Sequence, residues 1–299
     1  MADPLTDGSA LARVRSSLLS WFATDHRDFP WRRTTDPYAV LVSEVMLQQT
    51  QASRIAERFP IFMSRFPTAA ALAAAGEAEV LVAWSGLGYN RRALALRRAA
   101  REVARHGWPQ GVAALERLPG IGPYTARAIA SLAFGEPVGV VDTNVRRWLV
   151  RRFGLRADRP PRDLQVLADG LAEAGHRADV APWTHATMEF GASICTARNP
   201  RCNICPISDE CPSRGAATVI PVPRQAAFAG SDRAHRGAIL RALTRAPDQR
   251  MTMRVARGLV PPDAVGRLVA GLERDGLVHR SGARLVLGGA PEPAATIGS

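Results

Sequence analysis

No apolar run in this chain approaches the roughly 20 residues needed to cross a bilayer, and the N-terminal stretch MADPLTDGSA lacks a secretory hydrophobic region. A membrane-spanning or secreted protein is therefore not expected, and the cytoplasm is. Cysteine is absent except at Cys195, Cys202, Cys205 and Cys211, so no disulfide framework can span the fold, and a cytoplasmic chain would not hold one. Acidic residues are scarce relative to basic ones: 27 Asp+Glu against 39 Lys+Arg, a formal net charge of +12. That excess favours polyanions, either nucleic acid or an anionic membrane surface. Arginine dominates the basic set, as a GC-rich genome also produces, so charge alone is a weak signal. With 299 residues, 46% hydrophobic and 22% charged, the chain is long enough for one large or two ordinary folded domains.

The central stretch runs Leu118–Leu149. Leu118-Pro119-Gly120-Ile121-Gly122-Pro123 reads as a tight hairpin, with Pro123 at the first position of a helix from Tyr124 to Ala133. Gly120 and Gly122 leave backbone N–H groups bare at a helix N-terminus, an arrangement that binds phosphate. Downstream, Asp142 closes the apolar run Val138-Gly139-Val140-Val141 and stands as the N-cap of a helix from Val145 to Arg152. An ordinary helical linker also contains such Pro-Gly dipeptides. The capped helix that follows is what singles this one out. At these residues the chain resembles the helix–hairpin–helix glycosylase superfamily, whose signature is this hairpin, a Gly/Pro-rich loop and an Asp.

The four cysteines are spaced C-x6-C-x2-C-x5-C. Zinc more often uses two C-x2-C knuckles, and only Cys202 and Cys205 form one. Four thiolates on one short loop suit a [4Fe–4S] cluster. This spacing resembles the loop of the endonuclease III and adenine glycosylase (MutY) branches of the superfamily.

Residues 1–10 read as disordered. Leu11, Val14, Leu18 and Phe22 mark a first helix ending near Thr24. Trp31 and Arg32 follow in a loop, where such a pair can stack on and bond to a base, or serve as a core anchor beside a solvated Arg. A second helix is expected over Ala39–Glu57. Within it Glu44 lies among Leu41, Val45 and Leu47, so its carboxyl should be desolvated and able to hold a proton near neutral pH. The amides of Gln48, Gln49 and Gln51 just beyond suit base edges. The segment Leu41–Gln51 resembles the adenine glycosylase segment that holds the catalytic acid and a Gln that wedges into the duplex. Val80, Leu81 and Trp84 read as core. Ser85-Gly86-Leu87-Gly88-Tyr89-Asn90 precedes a basic helix, Arg91–Arg105. There Arg91 and Arg92 can hold phosphates, and the resemblance implies that Tyr89 is a wedge between bases. Many relatives have a second Tyr where this chain has Asn90. Two more helices, Arg162–Gly175 and Trp183–Gly191, lead to the cysteine loop. The resemblance implies that Glu189 contacts adenine, and Arg198 and Arg201 are placed to grip phosphate.

The expected fold is mainly α: a two-lobed helix–hairpin–helix glycosylase domain over 11–213 with the cluster loop at 195–211. A linker (214–230), a winged-helix-like module (231–288) and a disordered tail (289–299) follow. The module is read from helices over Arg233–Leu243, Met251–Gly258 and about Val265–Leu272, with a hairpin over 277–287. It is equally a packing module or a DNA-contacting one. It is too short and wrongly patterned for the Nudix-like domain that reads 8-oxoguanine in longer adenine glycosylases, and it has only His235 and His279 as histidines.

Cutting an N–C1′ bond in a duplex requires base flipping. Departure of a purine then needs an acid for the ring and an anion beneath an oxocarbenium-like sugar. Glu44 suits the acid and Asp142 the anion, and Asn144 can orient Asp142 or a water; the resemblance assigns the same roles. Tyr124 stands where endonuclease III-like lyases carry the Lys that forms a Schiff base, so no amine attack is expected from it. The implied activity is a monofunctional glycosylase that removes adenine opposite 8-oxoguanine or guanine in double-stranded DNA. It would act as a monomer, with no membrane partner, at the nucleoid. A mispair thymine/uracil glycosylase and a non-catalytic DNA-binding protein on the same scaffold remain the alternatives.

Overall fold

The structure is a computed structural model, described for residues 8–215 and 227–290. The readings of 1–7, of 216–226 in the linker and of the tail from 291 lie outside the described residues. Gly8–Ala10, expected to be disordered, open the first helix. In chain order the helices are α1 (Gly8–Thr24), α2 (Pro37–Leu47), α3 (Ala52–Arg65), α4 (Ala69–Ala74), α5 (Glu77–Ala83), α6 (Arg91–His106) and α7 (Val112–Leu115). They continue with α8 (Pro123–Phe134), α9 (Thr143–Arg152), α10 (Pro161–Glu173), α11 (Val180–Ser193), α12 (Asp232–Arg245), α13 (Met253–Leu259) and α14 (Val265–Arg274). Three short strands, β1 (Arg250–Thr252), β2 (Val278–Ser281) and β3 (Arg284–Leu287), form one antiparallel sheet in the order β1-β3-β2. The mainly helical fold is the one expected.

The chain divides into two units, one of residues up to Pro60 with Trp108–Pro223, the other of Ile61–Gly107 with Arg224 onward. The first division falls inside α3 at Pro60, which cannot donate to the helix ladder. The expected domain boundary, a single cut at the linker, differs from this. The residues from 224 join the helices of 61–107 because they share a core and specific bonds with them. The Gly289 N–H donates to Glu77 Oε2 at 2.8 Å, and the Ser85 and Thr244 hydroxyls meet at 3.3 Å.

In the first unit, α1 and α9–α11 bury Leu18, Trp148, Leu149, Leu171 and Phe190 together. Phe190 is at their centre, edge-on to Trp21 at 5.9 Å and to Trp148 at 5.8 Å. Helix α2 begins at Pro37 because Asp36 caps it, accepting from the N–H groups of Tyr38 and Ala39. It ends at Leu47, which corrects the single helix expected over Ala39–Glu57. Gln48–Thr50 form a turn, with Gln49 at φ +56°. Glutamine is a good helix former, so local propensity gives no warning of the break. A tertiary contact accompanies it: Gln48 Nε2 donates to Thr125 Oγ1 of α8 at 3.2 Å. The hairpin is as expected, with Gly120 at φ +78° and Gly122 capping α8.

In the second unit, α12–α14 and the sheet follow winged-helix order. One element differs from expectation. The helix expected from Met251 begins only at Met253, and Arg250–Thr252 is a strand paired with β3, Met251 opposite Leu285. Three residues carry too little alternation to signal a strand. Thr252 then caps α13, its Oγ1 accepting from the Val255 N–H.

Candidate active site

Helices α2 and α8 and the N-terminus of α9 bring Glu44, Tyr124, Asp142, Asn144 and Gln48 together in the first unit. Glu44 is 4% exposed. Burial raises its pKa to about 7, the Tyr124 hydroxyl bonded to it lowers it in part, and the charge of Asp142 raises it. Tyr124 is held well above the usual phenol range by burial and by both carboxylates. It therefore stays a hydroxyl, and it also reaches Met188 Sδ at 3.8 Å.

Asp142 caps α9 as expected. Its Oδ1 accepts from the N–H groups of Asn144 at 2.8 Å and Val145 at 2.6 Å, and its Oδ2 accepts from Asn144 Nδ2 at 2.7 Å. Three donors and the positive end of a helix face this carboxylate, an arrangement built for an anion. The preceding strand-like segment is pinned at Gly139, whose N–H donates to Asp169 Oδ1 at 2.8 Å and whose carbonyl accepts from Arg127 and Gln165.

Residues that the linear pattern did not single out hold this arrangement. Arg147 Nη2 donates to Asn144 Oδ1 at 3.0 Å and to the Gly191 carbonyl at 2.5 Å, and its Nε donates to the Cys195 carbonyl at 2.8 Å. Arg151, one turn on, donates to the carbonyls of Thr196 and Ala197 and to Cys195 Sγ at 3.6 Å. The helix that starts at Asp142 is thus tied at its other end to the cysteine loop. Gly191 permits the crossing of α11 over α9, since a Cβ there would stand 2.7 Å from the Asn144 carbonyl oxygen. Two buried arginines spaced i, i+4 on one helix were the signal available for Arg147 and Arg151.

Glu189 is buried, 1% exposed. Burial alone would push its carboxyl up, but ion pairs with Arg27 and Arg32 outweigh this and hold it below the usual range. Arg27 donates from Nε at 2.6 Å and Nη2 at 3.0 Å, and Arg32 from Nη2 at 2.7 Å. Arg27 carried no motif and was not anticipated. Arg32 is mostly covered rather than solvated, its side chain 11% exposed; its Nη1 donates to the Arg27 carbonyl, and its Nε finds no acceptor among the described residues. Trp31 takes the core-anchor side of the two readings and not the base contact. It is 5% exposed, stacked on Phe29 at 4.7 Å and edge-on to Phe59 at 6.1 Å, so its faces are already covered.

Tyr89 and Arg91 belong to the second unit. Tyr89 is 38% exposed with φ +46°. Among the described residues the non-glycine positions with positive φ are Gln49, Tyr89 and Gln249. Two of the three are residues expected to enter DNA, which fits the tendency of backbone strain to collect at functional sites. Arg91 is exposed and 3.6 Å from Asp275. Arg92 corrects the expected phosphate contact. It turns inward over the Trp84 ring, burial lowers it to about 10, and it donates to the carbonyls of Leu87 and Gly88.

Cys195, Cys202, Cys205 and Cys211 line one cleft with Trp148, Arg151 and Phe190. Burial pushes the Cys205 thiol up to about 11 and raises Cys195, the latter offset in part by Arg151 and Arg147. Among the described residues no three His, Cys, Asp or Glu side chains gather as they would around a metal ion. Four thiols around a cleft, with guanidiniums behind them, fit a larger anionic cluster.

The profile of the HhH-GPD superfamily of base excision DNA repair proteins matches residues 42–172, and that of the iron–sulfur binding domain of endonuclease III matches residues 195–211. The adenine DNA glycosylase of Mycobacterium tuberculosis (strain ATCC 25618 / H37Rv) is 43% identical over 279 residues, spanning 89% of this chain and 90% of that protein. The chain belongs to the adenine DNA glycosylase family. The family member of Mycolicibacterium smegmatis is also 43% identical, over 88% of this chain and 92% of its own. The human member is 40% identical over 70% of this chain, a match that covers 40% of the human protein. Among solved structures, a thermostable thymine-DNA glycosylase superposes with a TM-score of 0.63 at 29% identity, over 70% of this chain and 99% of its own. Endonuclease III in a trapped covalent DNA complex superposes at 0.58 with 21% identity, a likeness of fold. As a family member the chain is a base-excision DNA glycosylase, an enzyme of N-glycosyl bond hydrolysis, with a [4Fe–4S] cluster on its cysteine loop.

Proposed function

We propose that this glycosylase removes adenine paired with 8-oxoguanine or guanine in double-stranded DNA, with Glu44 as general acid and Asp142 as the anion beneath the sugar. The observation that carries the reading is the pair of carboxyls in opposite surroundings: Glu44 buried, with its pKa near 7, and Asp142 met by three N–H donors. An acid half-protonated at neutral pH can deliver a proton to a purine ring nitrogen as the N–C1′ bond breaks. The electron pair of that bond leaves with adenine, and positive charge develops on the sugar above Asp142. Tyr124 holds the Glu44 carboxyl through its hydroxyl, and Asn144 holds Asp142. Water then adds to C1′, its proton returns to the Glu44 carboxylate, and the abasic site is released.

The adenine edge would meet Gln48, Glu189 and Arg32. Arg32 Nε is a buried donor that finds no acceptor among the described residues, and a purine ring nitrogen offers one. Gly120 and Gly122 present N–H groups to a phosphate, Arg91 takes another, and Gln49 and Tyr89 enter the duplex. Discrimination of 8-oxoguanine from guanine is assigned to Gln49, Tyr89 and neighbouring backbone. Both mispairs would be cut, 8-oxoguanine first. Cys195, Cys202, Cys205 and Cys211 would hold the cluster, which when bound supplies four iron–thiolate bonds that fold the loop. We place the enzyme as a monomer at the chromosome.

Lyase chemistry is closed more firmly than Tyr124 alone implies. All 39 residues in the Lys+Arg count are arginine, so the sequence offers no lysine amine anywhere. The second reading, excision of thymine or uracil from mispairs, draws on the likeness to the thymine-DNA glycosylase. One experiment separates them: single-turnover abasic-site formation on duplexes with A, T or U opposite G or 8-oxoguanine. Adenine release alone is expected; faster release of T or U overturns the proposal.

A further inference from the structure

Five side chains of the second unit stack as alternating rings and guanidiniums. Trp84 is fully buried. Arg92 lies 5.4 Å from the Trp84 ring and 5.4 Å from the Tyr89 ring. Arg233 of α12 lies 5.9 Å from the Tyr89 ring and 5.2 Å from the ring of Phe228. Arg233 Nη1 also donates to the Tyr89 hydroxyl at 3.0 Å. Phe228 is itself anchored by the turn before α12: Ser231 donates to its carbonyl from N at 3.2 Å and from Oγ at 2.7 Å, while its Oγ accepts from the Ala234 N–H as the helix cap. Ser85, at the start of the Tyr89 loop, meets Thr244 of the same helix at 3.3 Å. The loop is therefore held by α12 at Ser85 and at Tyr89, and the tyrosine has a guanidinium bonded to its hydroxyl and a second near its ring.

We propose that α12 of the C-terminal module is the holder of the wedge, with Arg233 as a positioning residue that fixes the Tyr89 ring before it enters the duplex. The inference rests on the reading of Tyr89 as a wedge. A tyrosine on a loop with two glycines and a positive φ has many orientations to lose on insertion, and each ordered side chain costs affinity. A guanidinium bonded to the hydroxyl and stacked on the ring removes that loss in advance. The module then acts on the mispair through the loop it supports, and residues 224–290 contribute to base opening without reading the lesion.

The test places 2-aminopurine, whose emission rises when it leaves the stack, at the target adenine position opposite guanine. It uses full-length protein carrying Glu44→Gln, so that opening is seen without excision. Tyr89→Ala, Arg233→Ala and the double variant are compared. Each single change is expected to slow the emission rise about tenfold, and the double to be no slower than Tyr89→Ala alone. The slope of binding against salt should be unchanged in Arg233→Ala. If Arg233→Ala destabilises the unit, Tyr89→Phe removes the same hydrogen bond from the other side and should slow opening about threefold. Additive losses, or a salt slope reduced by about one, would make Arg233 an independent phosphate contact and overturn the inference while leaving the wedge. Unchanged opening in Tyr89→Ala overturns the wedge reading, and this inference with it.

Discussion

The middle of α2 and the start of α9 each present one carboxyl, and they treat it in opposite ways. Glu44 is buried among the apolar side chains of its own helix, so its charge is penalised, and the one phenol beside it offsets only part of that. Asp142 sits at a helix N-terminus with three N–H groups on its two oxygens, so its charge is received. In the proposed mechanism one residue class serves as proton carrier and as fixed anion, because one helix buries its acid in mid-length and the other exposes its unpaired N–H groups to it.

The contrast is tested most severely at Asp142. Asp142→Asn keeps the backbone cap through its one oxygen but turns an NH2 toward the Asn144 amide that Oδ2 accepts from, so a stability loss of only about 1 kcal/mol is expected. Base excision should fall about 10²–10³-fold, the usual loss when charge aimed at a transition state is removed. A single-turnover assay that finds normal rates would remove Asp142 from the chemistry.

Glu44→Gln should lower excision by at least about 10²-fold with binding nearly intact. Its stability effect has the opposite sign. A carboxyl whose folded pKa, about 7, lies above its unfolded value binds more protons when folded. The wild type should therefore lose stability as pH rises from the ordinary carboxyl range to about 7, then level off. Glu44→Gln should flatten that decline and melt higher at neutral pH, by a free energy of up to about 3 kcal/mol. In the wild type the excision rate should fall as pH rises through about 7. A rate that climbs across that range would show that the protonated form is not the active one.

Gly191→Ala sharpens the contrast from the scaffold side. Its Cβ would meet the Asn144 backbone at 2.7 Å, which should cost about 1–3 kcal/mol of stability by denaturant melts. Excision should fall as the Asp142 cap shifts. Unaltered stability and rate would mean that the close crossing of α11 and α9 is not needed to hold the anion.

The smallest effect concerns Tyr124. Borohydride should trap no side-chain adduct in the wild type, because the sequence has no lysine. Tyr124→Lys would install the chain's single lysine, so a weak trapped product should map by peptide mass to position 124. An adduct elsewhere would show that the hairpin position does not face C1′.

What was legible in the sequence was what neighbours in the chain decide. The Gly-Pro hairpin, the Asp142 cap, the burial of Glu44 among its helix neighbours and the cysteine loop are all set within a few residues, by backbone geometry or by spacing. The tertiary structure alone decided the rest. Gln48–Thr50 leave the helix while Gln48 bonds to Thr125 of α8, and Trp31 faces Phe29 and Phe59 instead of solvent. Glu189 is claimed by two arginines more than 150 residues away, and Arg92 turns inward beneath Tyr89 while Arg233 covers it from α12. The physical reason is common to all of these. A hydrogen bond or ion pair is satisfied by whichever partner the fold brings within about 3 Å, and no local pattern of residue types carries that partner's place in the chain.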